Sequence, residues 1–164
     1  MSGFWNFFDK LLNVMAVLAG VILVFITAAV CYTIGMRFLF KQTTIWIIPI
    51  TEYALLWIVF LGATWLLKQG GHITTDVIYV HLSEGRKQIL DCAMSVVGGL
   101  ACAFMLLFGI LHTLDCIVNR VTDVRAMTVP KADVFVIIPV GSLLLTIQFF
   151  RMAWGKLIDI RKGK

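Results

Sequence analysis

The chain has 164 residues, of which 60% are hydrophobic and 14% charged, with a mean hydropathy of +0.96. Globular domains are about 45–50% apolar and about 25% charged, and a soluble domain of this size keeps about a third of its potential surface wet. The composition therefore excludes a cytosolic enzyme, a disordered chain and a disulfide-stapled secreted module. The net charge of +5 lies between long apolar runs rather than on one soluble face, which reads as membrane topology and headgroup contact, not nucleic-acid binding.

In chain order, the segment Ser2–Leu12 comes first. It sets Phe4, Trp5, Phe7, Phe8, Leu11 and Leu12 around one polar seam. This predicts a short helix lying in the membrane surface before the chain turns inward. The first apolar run, Val14–Met36, holds 23 residues without a charge. It is longer than a signal-peptide core and only Lys10 precedes it, so it reads as a retained span. The second run, Ile45–Leu67, contains Glu52 as its one charge and Pro49 near its start. Pro49 predicts a bend, or a regular helix that begins after it. In the loop that follows, Ile73, Val77 and Val80 recur at helical spacing and predict a brief amphipathic helix. The third run, Ile89–Leu114, carries Asp91 near its start and His112 near its end, and the fourth, Val134–Phe150, is extended by a snorkelling Arg151 to about residue 154.

At about 1.5 Å per residue, each 23-residue run reaches about 35 Å, enough for a hydrocarbon core about 30 Å thick. Lipid offers no partner to backbone N–H and C=O groups, so each run is helical. The expected fold is an all-α membrane protein of four transmembrane helices with short interfacial helices. It forms a single domain over residues 1–164, with spans at about 14–36, 45–67, 89–114 and 134–154. Nine Lys and Arg residues flank the spans on the side of the termini and five on the other, so both termini are expected in the cytoplasm. Trp5, Trp46, Trp65 and Trp154 lie near span ends, where interfacial anchors belong. The cysteines Cys31, Cys92, Cys102 and Cys116 form no C-x-x-C pair. They read as small hydrophobes rather than as a metal or redox site.

The chemistry-bearing candidates are few. An ionisable residue within a span is costly and marks function. Two roles compete for Glu52: a carboxylate coupled to a proton or substrate, and an interhelical or intersubunit pin paired with Arg37. His72 and Asp76 are spaced i, i+4 and share one helix face. They read as a polar latch, or as two ligands of a metal or proton site that lacks a third. His112 is the one histidine within a span, whereas a bis-histidine haem needs two at similar depth. Asp91 is expected to pair with Lys87, one turn earlier. Ser95, Gly99 and Ala103, with Gly98 beside them, form a small-residue stripe that lets another helix approach. No phosphate-cradling loop, Ser/His/Asp set or carboxylate dyad stands in the sequence, so no enzyme, cofactor or metal is expected.

Several stretches in order carry a resemblance. They are Thr51-Glu52-Tyr53-Ala54-Leu55-Leu56-Trp57, Phe60-Leu61-Gly62-Ala63, Leu67-Lys68-Gln69-Gly70-Gly71-His72-Ile73-Thr74-Thr75-Asp76, then Val129-Pro130 before Ile137-Ile138-Pro139-Val140-Gly141. Together with the four spans, they make the chain similar to the DctQ-like small membrane subunit of tripartite ATP-independent periplasmic (TRAP) transporters. Many members carry a Trp closely followed by paired Glu at the second span, and a Pro before the third. Here Trp46 and Glu52 are six residues apart with Pro49 between them, and Ser83 stands before the third span.

The resemblance implies a division of labour in the bacterial inner membrane. A periplasmic binding protein captures an organic acid, and a large multi-span subunit carries it inward, usually driven by sodium bound on that subunit. The small subunit is a scaffold, with Arg37, Glu52, His72 and Asp76 as polar pins at subunit contacts. The alternative from the residues alone is a self-sufficient proton-coupled exporter that uses Glu52.

Overall fold

Prolines decide where two of the helices begin. A helix leaves its first N–H groups without intrahelical partners, so a residue lacking an N–H is tolerated in the first turn. Pro49 and Pro139 both stand there. In the computed structural model, which describes residues 2–41, 45–69, 84–124 and 128–161, the helices are α1 (Ser2–Phe40), α2 (Ile47–Lys68), α3 (Glu84–Val118), α4 (Lys131–Phe135) and α5 (Ile137–Arg161). A two-stranded sheet of β1 (Thr122–Val124) and β2 (Thr128–Pro130) separates α3 from α4. Pro49 is the third residue of α2, so the regular helix includes it rather than starting after it. Pro139 cannot donate to the carbonyl of Phe135, and the fourth span accordingly breaks at Val136 between α4 and α5. The Val136 and Val140 amides still donate to the Ala132 and Val136 carbonyls, at 2.9 and 3.4 Å, so the two pieces remain one span.

Four segments are long and apolar enough to cross a membrane: Trp5–Phe40, Ile47–Lys68, Ile89–Val118 and Lys131–Ile158. The chain is thus a multi-pass, all-α membrane protein, as its hydropathy requires. The first helix departs from expectation. The segment before Val14 does not lie apart as a surface helix, because α1 runs unbroken for 39 residues, about 58 Å. No Gly or Pro interrupts residues 4–19, and Phe8 and Leu12 continue the buried face of Met15 and Ala19. The interfacial helix expected around Ile73, Val77 and Val80 lies outside the described residues.

The main packing runs in series: α1 on α2, α2 on α5, and α5 on α3, the last seam being the most extensive. One core cluster joins Phe8, Leu12, Met15 and Ala19 of α1 to Phe60 and Leu61 of α2 and to Ile137 and Leu144 of α5. A second joins Leu67, Cys102 and Phe149 across α2, α3 and α5.

At the end opposite the termini, β1 and β2 pair antiparallel with Asp123 opposite Val129. This hairpin was not legible beforehand. Its entry is a Schellman motif: the Arg120 amide donates to the Ile117 carbonyl at 3.3 Å and the Val121 amide to the Cys116 carbonyl at 3.1 Å. The residue in the left-handed conformation is Arg120 (φ 46°), where glycine is commonest.

Candidate functional site

The most extensive helix contact is the seam of α3 against α5. On α3 the buried positions are Ser95, Gly99, Cys102, Gly109, Thr113 and Cys116, with half-buried Leu106 completing a strict 4-3-4-3 alternation. That spacing is the signature of a long, shallow helix crossing. Ser95 and Gly99 are buried on this face of α3, Cys102 takes the next buried position and Ala103 is half-buried. The tightest point is Gly98, where a β-carbon would lie 2.6 Å from the Phe149 ring; at Gly99 it would lie 3.4 Å from the Phe149 β-carbon. Gly141 does the same on the other side of α5, where a β-carbon would meet Phe60 at 2.6 Å. Lipid tails are as apolar as the helices they surround, so such close packing, not burial from water, holds membrane helices together.

Hydroxyls inside the spans mostly satisfy themselves. Thr27, Thr33, Thr51, Ser95, Thr113 and Thr146 each donate to the carbonyl four residues back, at 2.7–2.9 Å. Among the described residues, Thr64 Oγ1, Ser142 Oγ and Gln148 Oε1 are buried without a hydrogen-bond partner.

A polar cluster closes the end that carries the termini. Arg151 Nη1 donates to Asp9 Oδ1 at 2.9 Å, Lys68 Nζ lies 3.4 Å from the same oxygen, and the Arg151 guanidinium stacks 4.5 Å from the Trp5 ring centre. One carboxylate on α1 thus ties the last turn of α2 to Arg151, ten residues before the end of α5. Trp5 also meets Phe8 edge-on, with ring centres 6.2 Å apart. It is therefore a packed member of this cluster as well as a residue near the span end. Asp91 pairs with Lys156 of α5 at 2.6 Å, across the seam rather than along its own helix to Lys87 as the spacing suggested. The interhelical pair holds α3 to α5 in register, which an i, i+4 pair within α3 would not do.

At the hairpin end, the Tyr53 hydroxyl donates to Asp123 Oδ2 at 2.6 Å and so tethers β1 to α2. Arg37, in the last turn of α1, and Glu52, in the second turn of α2, are both exposed at this end. His72 and Asp76 lie outside the described residues. His112 is exposed, packed edge-on to Phe135 at 5.0 Å with Cys116 Sγ at 3.7 Å. Trp46 and Trp154 are exposed, and Trp65 is half-buried. No group of three His, Cys, Asp or Glu side chains gathers to hold a metal among the described residues.

Two open hollows lie between α1 and α2. The larger, about 750 Å³, is lined by Asn13, Ala16, Gly20, Gly62, Ala63, Trp65 and neighbouring aliphatic side chains. The smaller, about 330 Å³, is lined by Val30, Thr33, Ile34, Ile48, Glu52 and Leu55, among others. A β-carbon at Gly20 or Gly62 would meet nothing within 4 Å.

The fold is that of a four-span helical membrane protein with tightly packed seams and an open lateral groove. The family model of the DctQ component of tripartite ATP-independent periplasmic transporters matches residues 26–158. The chain belongs to that family. It is also similar to the C4-dicarboxylate TRAP transporter small permease protein DctQ of Vibrio cholerae, with 23% identity over 141 residues. The match covers 73% of this chain and 60% of the relative's length.

Proposed function

We propose that this chain is the scaffold subunit of a TRAP-type secondary transporter. It pairs with a large multi-span membrane subunit, and the pair takes up an organic acid delivered by a periplasmic binding protein. The observation that carries this reading is the family match over residues 26–158. The name of the Vibrio cholerae relative favours a C4-dicarboxylate among organic acids. The driving ion, sodium, binds on the large subunit. The chain sits in the bacterial inner membrane with both termini in the cytoplasm, the side favoured by nine of its Lys and Arg residues.

The physical case for a scaffold is the contrast between its closed and open surfaces. Asp9, Lys68, Arg151, Asp91 and Lys156 lock the helices together at one end, and Gly98 and Gly141 admit aromatic rings along the seams. A body held at several depths resists the sliding that a transport cycle imposes on its neighbour. Arg37, Glu52, His72 and Asp76 serve as polar pins at contacts between subunits. The test is co-expression with the large membrane subunit of a TRAP transporter. A tag on this chain should retain the large subunit through purification in mild detergent, and recovery of the small chain alone would reject the pairing.

A further inference from the structure

The larger hollow between α1 and α2 has the depth of one leaflet. On α1 it runs from Asn13 to Leu23 and on α2 from Ile58 to Leu66, rises of about 15 and about 12 Å. Half of a hydrocarbon core is about 15 Å. Asn13 immediately precedes the uncharged run Val14–Met36. The hollow therefore starts where headgroups meet hydrocarbon and ends near the bilayer centre. Residues 24–29 of α1 line neither this hollow nor the smaller one. A transmembrane helix needs a furrow that crosses about 30 Å, whereas an acyl chain needs one that ends halfway.

The chemistry is graded along the same axis. Asn13 and Trp65 stand at the end nearer the termini, and Leu23, Ile58 and Val59 at the inner end. Between them Gly20 and Gly62 leave width, since a β-carbon at either would meet nothing within 4 Å. Lys10 lies one turn before Asn13 and about 4.5 Å farther out, and it is exposed. Among the described residues, the side chains of Lys10, Asn13 and Trp65 have no hydrogen-bond or ion-pair partner. Each offers an N–H donor, from an ammonium, an amide and an indole. Nearby, Lys68 and Arg151 share the one carboxylate of Asp9. With Lys10, that corner sets three cations against one anion, an excess that favours a headgroup of net negative charge over a zwitterionic one.

We propose that this hollow binds one anionic phospholipid from the leaflet on the side of the termini. An acyl chain lies over Gly20 and Gly62, and Lys10, Asn13 and Trp65 donate to the phosphate. The site does not depend on the proposed pairing with a large subunit.

The test uses the full-length chain, purified in mild detergent, stripped of lipid and titrated with phosphatidylglycerol or phosphatidylcholine under native mass spectrometry. One phosphatidylglycerol should bind in preference to phosphatidylcholine. Lys10→Gln should lower that preference about fivefold, the share of one cation beside a headgroup. Gly20→Leu and Gly62→Leu should abolish retention of both lipids at an unchanged melting temperature, because their side chains enter open space. Leu107→Trp should change neither lipid, since every exposed residue of α3 from Ala93 to Leu111 is apolar. A phosphatidylglycerol with a photoreactive acyl chain should label residues 13–23 of α1 or 58–66 of α2, a readout that needs no variant.

Equal affinity for the two lipids, an unchanged preference in Lys10→Gln, retention by the glycine variants, or label spread evenly onto α3 overturns the proposal. A photo-crosslinking residue at Val59 that captures a protein chain instead of phospholipid in native membranes also overturns it, because a helix then fills the hollow.

Discussion

The seams that α5 makes with α3 and α2 use glycine in the opposite way from the α1–α2 groove. At Gly98 and Gly141 the missing side chain is replaced by a ring from the neighbouring helix, and no room remains for a β-carbon. At Gly20 and Gly62 the missing side chain leaves open space. Small residues in a membrane helix thus carry two messages that composition cannot separate. Where the same chain supplies the partner, they mark internal packing; where it does not, they leave an open hollow at the surface. The first kind fixes how the helices of this chain pack, and the second can be filled without disturbing that packing.

The largest expected effect comes from forcing that distinction. Gly141→Leu and Gly98→Leu should each destabilise the isolated chain by about 1–3 kcal/mol through overpacking against Phe60 and Phe149, while Gly20→Leu and Gly62→Leu stay within about 0.5 kcal/mol. Reversible unfolding in mixed micelles measures all four. Equal losses at the two kinds of glycine would erase the contrast.

A smaller effect is expected at the end of the bundle that joins the two regions. Asp9→Ala removes the carboxylate shared by Arg151 and Lys68. Because these groups are partly exposed, the loss should be about 1 kcal/mol. Hydrogen exchange should rise in the first turns of α1 and not along the α3–α5 seam, where Asp91 and Lys156 form a separate pair. Exchange rising equally in α3 would show that the two regions are not mechanically distinct at this end.

The smallest effect is a gain. Arg120→Gly relieves the left-handed conformation at the end of α3, and should raise stability by about 0.5–1 kcal/mol in the same unfolding measurement. No change would mean that the Schellman hydrogen bonds hold Arg120 there without strain.

The parts of this structure that depend on hydropathy were legible in the sequence. Four uncharged or nearly uncharged runs demand helices, and the spacing of Ser95 and Gly99 offers a small-residue stripe on the third. What sequence spacing does not supply is the partner. A four-residue repeat continues to Ala103, but the shallow crossing with α5 shortens the effective period and buries Cys102 instead. Asp91 has Lys87 one turn away, yet Lys156, distant in sequence, reaches it across the seam. Asp9, Lys68 and Arg151 come from three different helices and meet only once those helices are packed. The hairpin escaped notice because each strand has three residues and no Asn-Gly or similar turn signal joins them. Glu52 stood out by its charge, but the face it occupies on α2 follows from which sides of that helix α1 and α5 cover.

The central claim is that this chain is an obligate helper in uptake and not a transporter by itself. Purified components reconstituted in liposomes test it directly, using a labelled C4-dicarboxylate and an inward sodium gradient. Uptake is expected when this chain, the large subunit and the binding protein are all present, and is expected to fall to background when this chain is omitted or reconstituted alone. Uptake by liposomes containing only this chain, or undiminished uptake without it, would contradict the account.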